Sequence, residues 1–406
     1  MNIIQFLSNK KKNKKLFFII LFMFFLFPFS FSLNNSGVSA NYSFILFPIF
    51  IILLKRSIKI PDAYIVMIIL LYSLIFLVSI IYQSEYFKYL DRRVFSFFIF
   101  MTIFSYVTIK IDHDMIEAFK IAIILIVFCI IFYKINRFFF YTDQGTMNVK
   151  SLVGSQRYGF IYLFAFWITF FYQPRLKILN IIKIACIFLI IVGLILTYSR
   201  ASIMGLMGSF IFYFFNNIYY NKSKSLFLFL PIIVFIVIVI TLQLSFPRAF
   251  GYFFYGIFSL FTKEGVLELI NRLYDSGSSE GFRFALVANI LKFLALNPFT
   301  GSGFLGCWIM YDNLSCSAHG QFNDVIFRVG IFGFCAYLFL LFRILKYLYS
   351  AHRDLFFSLI GALIYGLFHE TFKLSQGAFV LTFMIGMMVS SRNNIKILGK
   401  SDKTIK

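Results

Sequence analysis

Residues 178–197 and 203–218 are each apolar for the length of a bilayer crossing, and only Tyr198-Ser199-Arg200-Ala201-Ser202 stands between them. Backbone amides and carbonyls find no water in hydrocarbon, so runs of this kind are confined to helices. Composition extends the constraint to the whole chain: 61% hydrophobic, 21% aromatic and 13% charged over 406 residues excludes a water-soluble domain. Arg200 therefore lies at a membrane face with almost no loop to carry it. A guanidinium so placed calls for an anion.

Hydropathy gives an all-α polytopic membrane protein with about twelve crossings, at 16–33, 40–54, 62–82, 93–110, 116–133, 158–173, 178–197, 201–219, 225–243, 322–344, 355–372 and 375–391. Lys10-Lys11-Lys12 and Lys14-Lys15 mark a cytoplasmic start. Alternation then puts Lys55, Arg56, Lys59, Arg175, Lys177, Lys222, Lys224, Lys346, Arg353 and the tail from Arg392 on the same side, as the positive-inside rule requires. Both termini are expected in the cytoplasm. The basic start, the apolar stretch and Val38-Ser39-Ala40 also resemble a secretory signal, although the apolar part is long for one. The net charge of +22 is spread over short connecting segments. There it sets orientation and meets anionic headgroups, so no nucleic-acid partner is expected. The 61 phenylalanines suit lipid-facing positions and are given no functional weight.

The chain divides into residues 1–243 with nine crossings, 244–321 as one large outward (periplasmic) loop between the ninth and tenth, 322–391 with three more, and 392–406 as a cytoplasmic tail. That loop is the expected working part. In it, Ser276-Gly277-Ser278-Ser279-Glu280-Gly281 reads as a hinge. Residues 282–296 carry apolar side chains at helical spacing around Arg283 and Lys292, the pattern of an amphipathic helix on the outer leaflet. Asn297-Pro298 ends it, and Gly301-Ser302-Gly303 permits a tight turn. Cys129, Cys186 and Cys335 lie in apolar spans as small packing residues. Cys307 and Cys316 share the outer loop, where an oxidising compartment permits a disulfide.

Four further groups gather on the outer side: Arg157 in Gly154-Ser155-Gln156-Arg157-Tyr158-Gly159, Arg200, Arg283, and His319 in Ser317-Ala318-His319-Gly320-Gln321-Phe322-Asn323-Asp324. Guanidinium forks hold phosphate oxygens bidentately and neutralise a departing pyrophosphate without a metal. Histidine accepts a proton near neutral pH, so His319 is the candidate base for an incoming hydroxyl. Duller roles stay open for each. Arg157 and Arg200 fit arginines snorkelling to headgroups, Arg283 the solvated edge of a helix, and His319 a helix N-terminus with a local hydrogen bond. His369-Glu370, near the outer end of the eleventh span, is costly unless partnered; it fits a group orienting Arg200, an acceptor contact, or an ion pair with Lys373. Asp112-His113-Asp114 has a metal-binding spacing but falls in a cytoplasmic turn where capping explains it better. His352 belongs to a basic turn. With no nucleophile elbow and no metal-ligand cluster in the sequence, direct displacement without a cofactor is the simplest chemistry.

The Ser199-Arg200 pair between adjacent spans, Gly281-Phe282-Arg283, Asn297-Pro298-Phe299-Thr300-Gly301-Ser302-Gly303-Phe304, and Ala318-His319-Gly320-Gln321-Phe322 with Gly330 downstream together resemble the O-antigen ligase/polymerase superfamily over residues 157–386. The family pattern usually reads His-Asn where this chain has His319-Gly320, and Gln321 or Asn323 is the candidate replacement. The resemblance implies a metal-independent glycosyltransferase of the bacterial inner membrane, its active site facing the periplasm, moving a glycan from undecaprenyl diphosphate to an acceptor. The acceptor is another lipid-linked repeat unit in a polymerase and the lipid A core in a ligase; the stretch around His319 looks closer to polymerases. Implied partners are the undecaprenyl-diphosphate-linked oligosaccharide, membrane lipids, and a chain-length regulator and flippase of the same pathway. Carried over by position, Arg200 and Arg283 hold the diphosphate, His319 activates the acceptor and Arg157 assists, with Glu370, His369, Gln321 and Asn323 in support. Residues 34–40 hold no carboxylate, which argues against the metal-dependent glycosyltransferases that keep one in the first outer loop. A lipid-linked sugar flippase is the alternative of another class, weakened by the single large outer loop and the scarcity of mid-span charges.

Overall fold

The computed structural model describes residues 62–82, 90, 111, 113–141, 159–174, 176–195, 197, 199–220, 279–310, 318–372 and 375–401. The predicted crossings at 16–33, 40–54, 93–110 and 225–243 lie outside them, as do Arg157, Cys316, Lys373 and residues 34–40. Within them the chain is helical: α1 Ala63–Tyr82, α2 His113–Tyr141, α3 Gly159–Phe171, α4 Lys177–Ile195, α5 Arg200–Tyr220, α6 Ser279–Leu296, α7 Gln321–Ala351, α8 Arg353–Gly366 and α9 Ser375–Ser401. No strand forms among the described residues, and Leu90 and Leu305 make an isolated antiparallel bridge. Four segments are long and apolar enough to cross a membrane, Ala63–Ile81, His113–Phe132, Lys177–Ile195 and Gln321–Ala351. The protein is a multi-pass membrane protein.

α8 is the centre of the bundle, packed chiefly on α3 and α5. A Cβ on Gly205 of α5 would stand 2.8 Å from the Gly361 carbonyl of α8, so the two backbones touch. Aromatic rings lock the other end of this layer. Trp167 and Phe171 of α3 pack against Phe357 of α8 and Tyr213 of α5, and the Trp167 indole N–H donates to Ser209 Oγ at 3.0 Å. The phenylalanine-rich composition thus packs helices together here as well as facing outward.

α7 is two helices rather than one. Gly330 has φ 63° and ψ −169°, a left-handed turn that an L side chain resists. Phe322 and Phe334 have ring centroids only 6.5 Å apart, whereas an unbroken helix would separate their backbones by about 18 Å. Residues 321–329 therefore fold back along 331–351. The predicted tenth crossing at 322–344 is displaced: the membrane-length piece is 331–351, about 31 Å of helix. Hydropathy missed the reversal because both pieces are apolar.

The broken ends are satisfied by the loop after α6. Ser302 N–H donates to Phe327 O at 2.6 Å, Phe304 N–H to Arg328 O at 3.2 Å, and Ile331 N–H to Pro298 O at 2.8 Å. Arg328, buried, donates through Nε to Asp324 Oδ2 at 2.7 Å and through Nη1 to Phe304 O at 3.2 Å. α1 closes over the same region, with Tyr72 donating to Gly333 O at 3.0 Å and Tyr64 to Ala336 O at 2.7 Å. At the opposite end of the bundle Arg343 grips Asp62 with both terminal nitrogens, at 3.1 and 2.8 Å, and Lys120 bridges to Asp354 at 2.7 Å.

α6 corrects another expectation. The helix forms, but it is apolar on two sides. Leu286, Ile290 and Leu294 pack on Cys307, Ala318 and Phe327, while Phe284, Leu291 and Leu296 are exposed. Its inner stripe makes it a wall of the protein, not a helix merely resting on a lipid surface.

Arg328→Leu takes the ion-pair partner from the buried Asp324 carboxylate, and is expected to cost about 3–5 kcal/mol. Thermal unfolding of the purified protein, followed by tryptophan fluorescence, should show a large fall in midpoint, with the double change Arg328→Leu, Asp324→Leu recovering part of it.

Candidate functional site

Ala318, His319 and Gly320 form the turn before α7, and His319 itself adopts φ 49°, a conformation uncommon outside glycine. Two hydrogen bonds clamp this turn to the segment after α8. Ala318 N–H donates to Glu370 Oε1 at 2.7 Å, and Phe372 N–H donates to Gln321 Oε1 at 2.7 Å. Between them the backbones close in: a Cβ on residue 320 would stand 2.9 Å from the Leu367 carbonyl. Gly320 is thus required by contact.

That clamp explains a departure from expectation. The eleventh predicted crossing runs to residue 372, but α8 stops at Gly366, and His369 and Glu370 lie in a turn beyond it, not inside an apolar helix. The turn's backbone finds side-chain partners, so continuing the helix is unnecessary. Gln321 is buried, 3% exposed, and serves as a staple between segments. Asn323 carries its amide nitrogen to 3.2 Å from the position a residue-320 Cβ would take.

α6 brings its first turn to the same place. The Phe282 ring meets the His319 imidazole edge-on at 6.1 Å, and the Arg283 charge acts on His369 together with those of His319 and Glu370. Arg283, His319, His369 and Glu370, all half-buried, thus share one electrostatic neighbourhood although they come from three separate segments. His369 stacks on Tyr365 at 4.8 Å. Burial first, and then the neighbouring Arg283 and His319, push the His369 imidazole down to about 4, with Glu370 working the other way. His369 is neutral at physiological pH.

Arg200 opens α5 at this end of the bundle. Thr197 Oγ1 accepts from Ser199 N–H at 3.2 Å, and Ser199 Oγ accepts from Ser202 N–H at 3.3 Å, so Ser199 caps the helix and Arg200, exposed, is its first residue. The following turn seats Ser202 against Gly159, which also adjoins the Tyr365 ring. Arg200 is thereby linked through Ser202, Gly159 and Tyr365 to His369. Gly159 opens α3 there, two residues after Arg157. Among the described residues no group of three His, Cys, Asp or Glu side chains converges as a metal centre would need.

Residues 185–338 match the family profile described as O-antigen ligase. That match supports a place in the O-antigen ligase/polymerase superfamily. The matched segment contains Arg200, Arg283, His319, the 297–304 loop and Gly330; His369 and Glu370 lie beyond it. No curated protein matches the chain significantly.

His369 gives a pH test. Its depressed affinity means that the unfolded chain takes up the proton first, near the ordinary value of about 6.5. Folded stability should therefore fall as pH drops from neutrality toward about 4. In thermal melts over that window, His369→Phe should lose midpoint less steeply than the wild type.

Proposed function

We propose that this protein is a metal-independent glycosyltransferase that polymerises lipid-linked oligosaccharide repeat units at the outer face of the bacterial inner membrane. It moves a growing glycan from undecaprenyl diphosphate to the next lipid-linked unit, in the making of O-antigen or a related surface polysaccharide. The observation that carries this reading is the meeting of Arg283 with the His319 turn, inside the segment that matches the family.

His319 takes the proton from the acceptor hydroxyl as that oxygen forms its bond to the anomeric carbon. The bond from that carbon to the diphosphate oxygen breaks, and the electron pair leaves on the diphosphate. Arg283 and Arg200 meet the charge that develops there. Arg200 is suited to this by its position: a cation at the first residue of a helix adds to the positive end of the helix dipole and to amides lacking helical acceptors, a combination that favours an anion. Arg157, two residues before α3 in the sequence, assists. Glu370, His369 and Asn323 support the His319 turn. The outer-face location, cytoplasmic termini and pathway partners, a flippase and a chain-length regulator, follow the same reading.

Transfer to the lipid A core is the second reading, favoured by the family description itself, which names a ligase. A gel profile of surface polysaccharide from a null strain separates the two: single repeats on the core mark a lost polymerase, and bare core with accumulated lipid-linked polymer marks a lost ligase. In a purified assay with lipid-linked repeat units, His319→Ala, Arg283→Ala and Arg200→Ala should each lower turnover by at least about a hundred-fold while membrane insertion is retained. Full activity of the His319 variant would end the reading.

A further inference from the structure

Glu370 holds an unusual place: it accepts a hydrogen bond from the residue before the candidate base, and it sits in the chain beside a second imidazole. Ala318 N–H donates to its Oε1 at 2.7 Å, while Gln321 on the far side of His319 accepts from Phe372 N–H at 2.7 Å. The left-handed backbone of His319 is thus gripped on both sides by the segment 367–372. Among the described residues, the charged groups that act on this neighbourhood are Arg283 from α6 and His369 and Glu370 from that segment. On the turn's own helix, Asp324 and Arg328 are engaged with each other. Among these neighbours Glu370 is the carboxylate closest along the hydrogen-bonded path to His319, set against the cation of Arg283.

We propose that Glu370 is a positioning residue with two separable duties: its oxygen fixes the His319 turn in a conformation the backbone resists, and its negative charge sets the proton affinity of the His319 imidazole. This rests on the reading of His319 as the base. A carboxylate beside an imidazole favours the protonated ring, and Arg283 opposes it. The pair holds the proton affinity of His319 in the range where it can take a proton from a hydroxyl and give it up again.

Two substitutions divide the duties. Glu370→Gln keeps an acceptor oxygen and removes the charge; Glu370→Ala removes both. The chain has four histidines, so carbon-13 labelling of histidine in the full-length protein, with His319→Asn to assign its signal, reads the titration directly and without substrate. In Glu370→Gln the His319 midpoint should fall by about one pH unit. The pH profile of kcat should move by the same amount, with KM for the lipid-linked donor unchanged. Glu370→Ala should lose further turnover that Glu370→Gln retains. An identical His319 midpoint in wild type and Glu370→Gln overturns the electrostatic duty, and equal turnover of the two variants overturns the positional one. A wild-type protein that transfers no glycan overturns the proposed function instead, while the titration still decides whether Glu370 tunes His319.

Discussion

A helix that reverses direction inside a membrane protein strands backbone groups that no water can reach, and at Gly330 the chain answers this with its own preceding loop. The carbonyls of Phe327 and Arg328 and the amide of Ile331 are taken up by Ser302, Phe304 and Pro298. Arg328 then ties Asp324 to the Phe304 carbonyl from within the fold. The 297–304 loop and the 321–329 helix are in effect one body. Since that body begins at the His319 turn and is fed by α6, the reversal decides where the histidine and Arg283 can meet.

The rest of the site is assembled around this body by exchange between distant segments. The 367–372 turn contributes an acceptor to residue 318 and takes one from residue 321, so neither turn is complete without the other. α8 carries that turn and also touches α5 at Gly205 and Gly361, which holds the first turn of α5, with Arg200, at the same end. Arg283 and the two imidazoles are in this way brought into one neighbourhood and Arg200 to the same end of the bundle, and their placement depends on packing between helices more than on any single loop.

Much of this was legible in the sequence, and what was not has a physical cause. Apolar run lengths located eight of the helices, and the short break at 198–202 put Arg200 at a membrane face, because both signals are local. The helix at 282–296 was legible as a helix but not as a wall, since an apolar residue does not declare whether lipid or protein will cover it. The reversal at Gly330 was invisible to hydropathy, which records how apolar a segment is and not which way it runs. Arg328 with Asp324, Arg343 with Asp62 and Lys120 with Asp354 escaped notice as well. The first pair is hidden by its burial, and the other two by sequence separations of hundreds of residues. His369 and Glu370 drew attention as costly charges in an apolar run, yet their solution, a turn beyond a helix that stops early, needed the partner segment to be seen.

The doubling back of 321–329 also fixes a depth. Tyr337 stands seven residues past Gly330, about 10 Å along the helix axis, and it neighbours Gln321 at the start of the returning piece. The His319 turn therefore lies about two helical turns from the reversal at Gly330 rather than level with it.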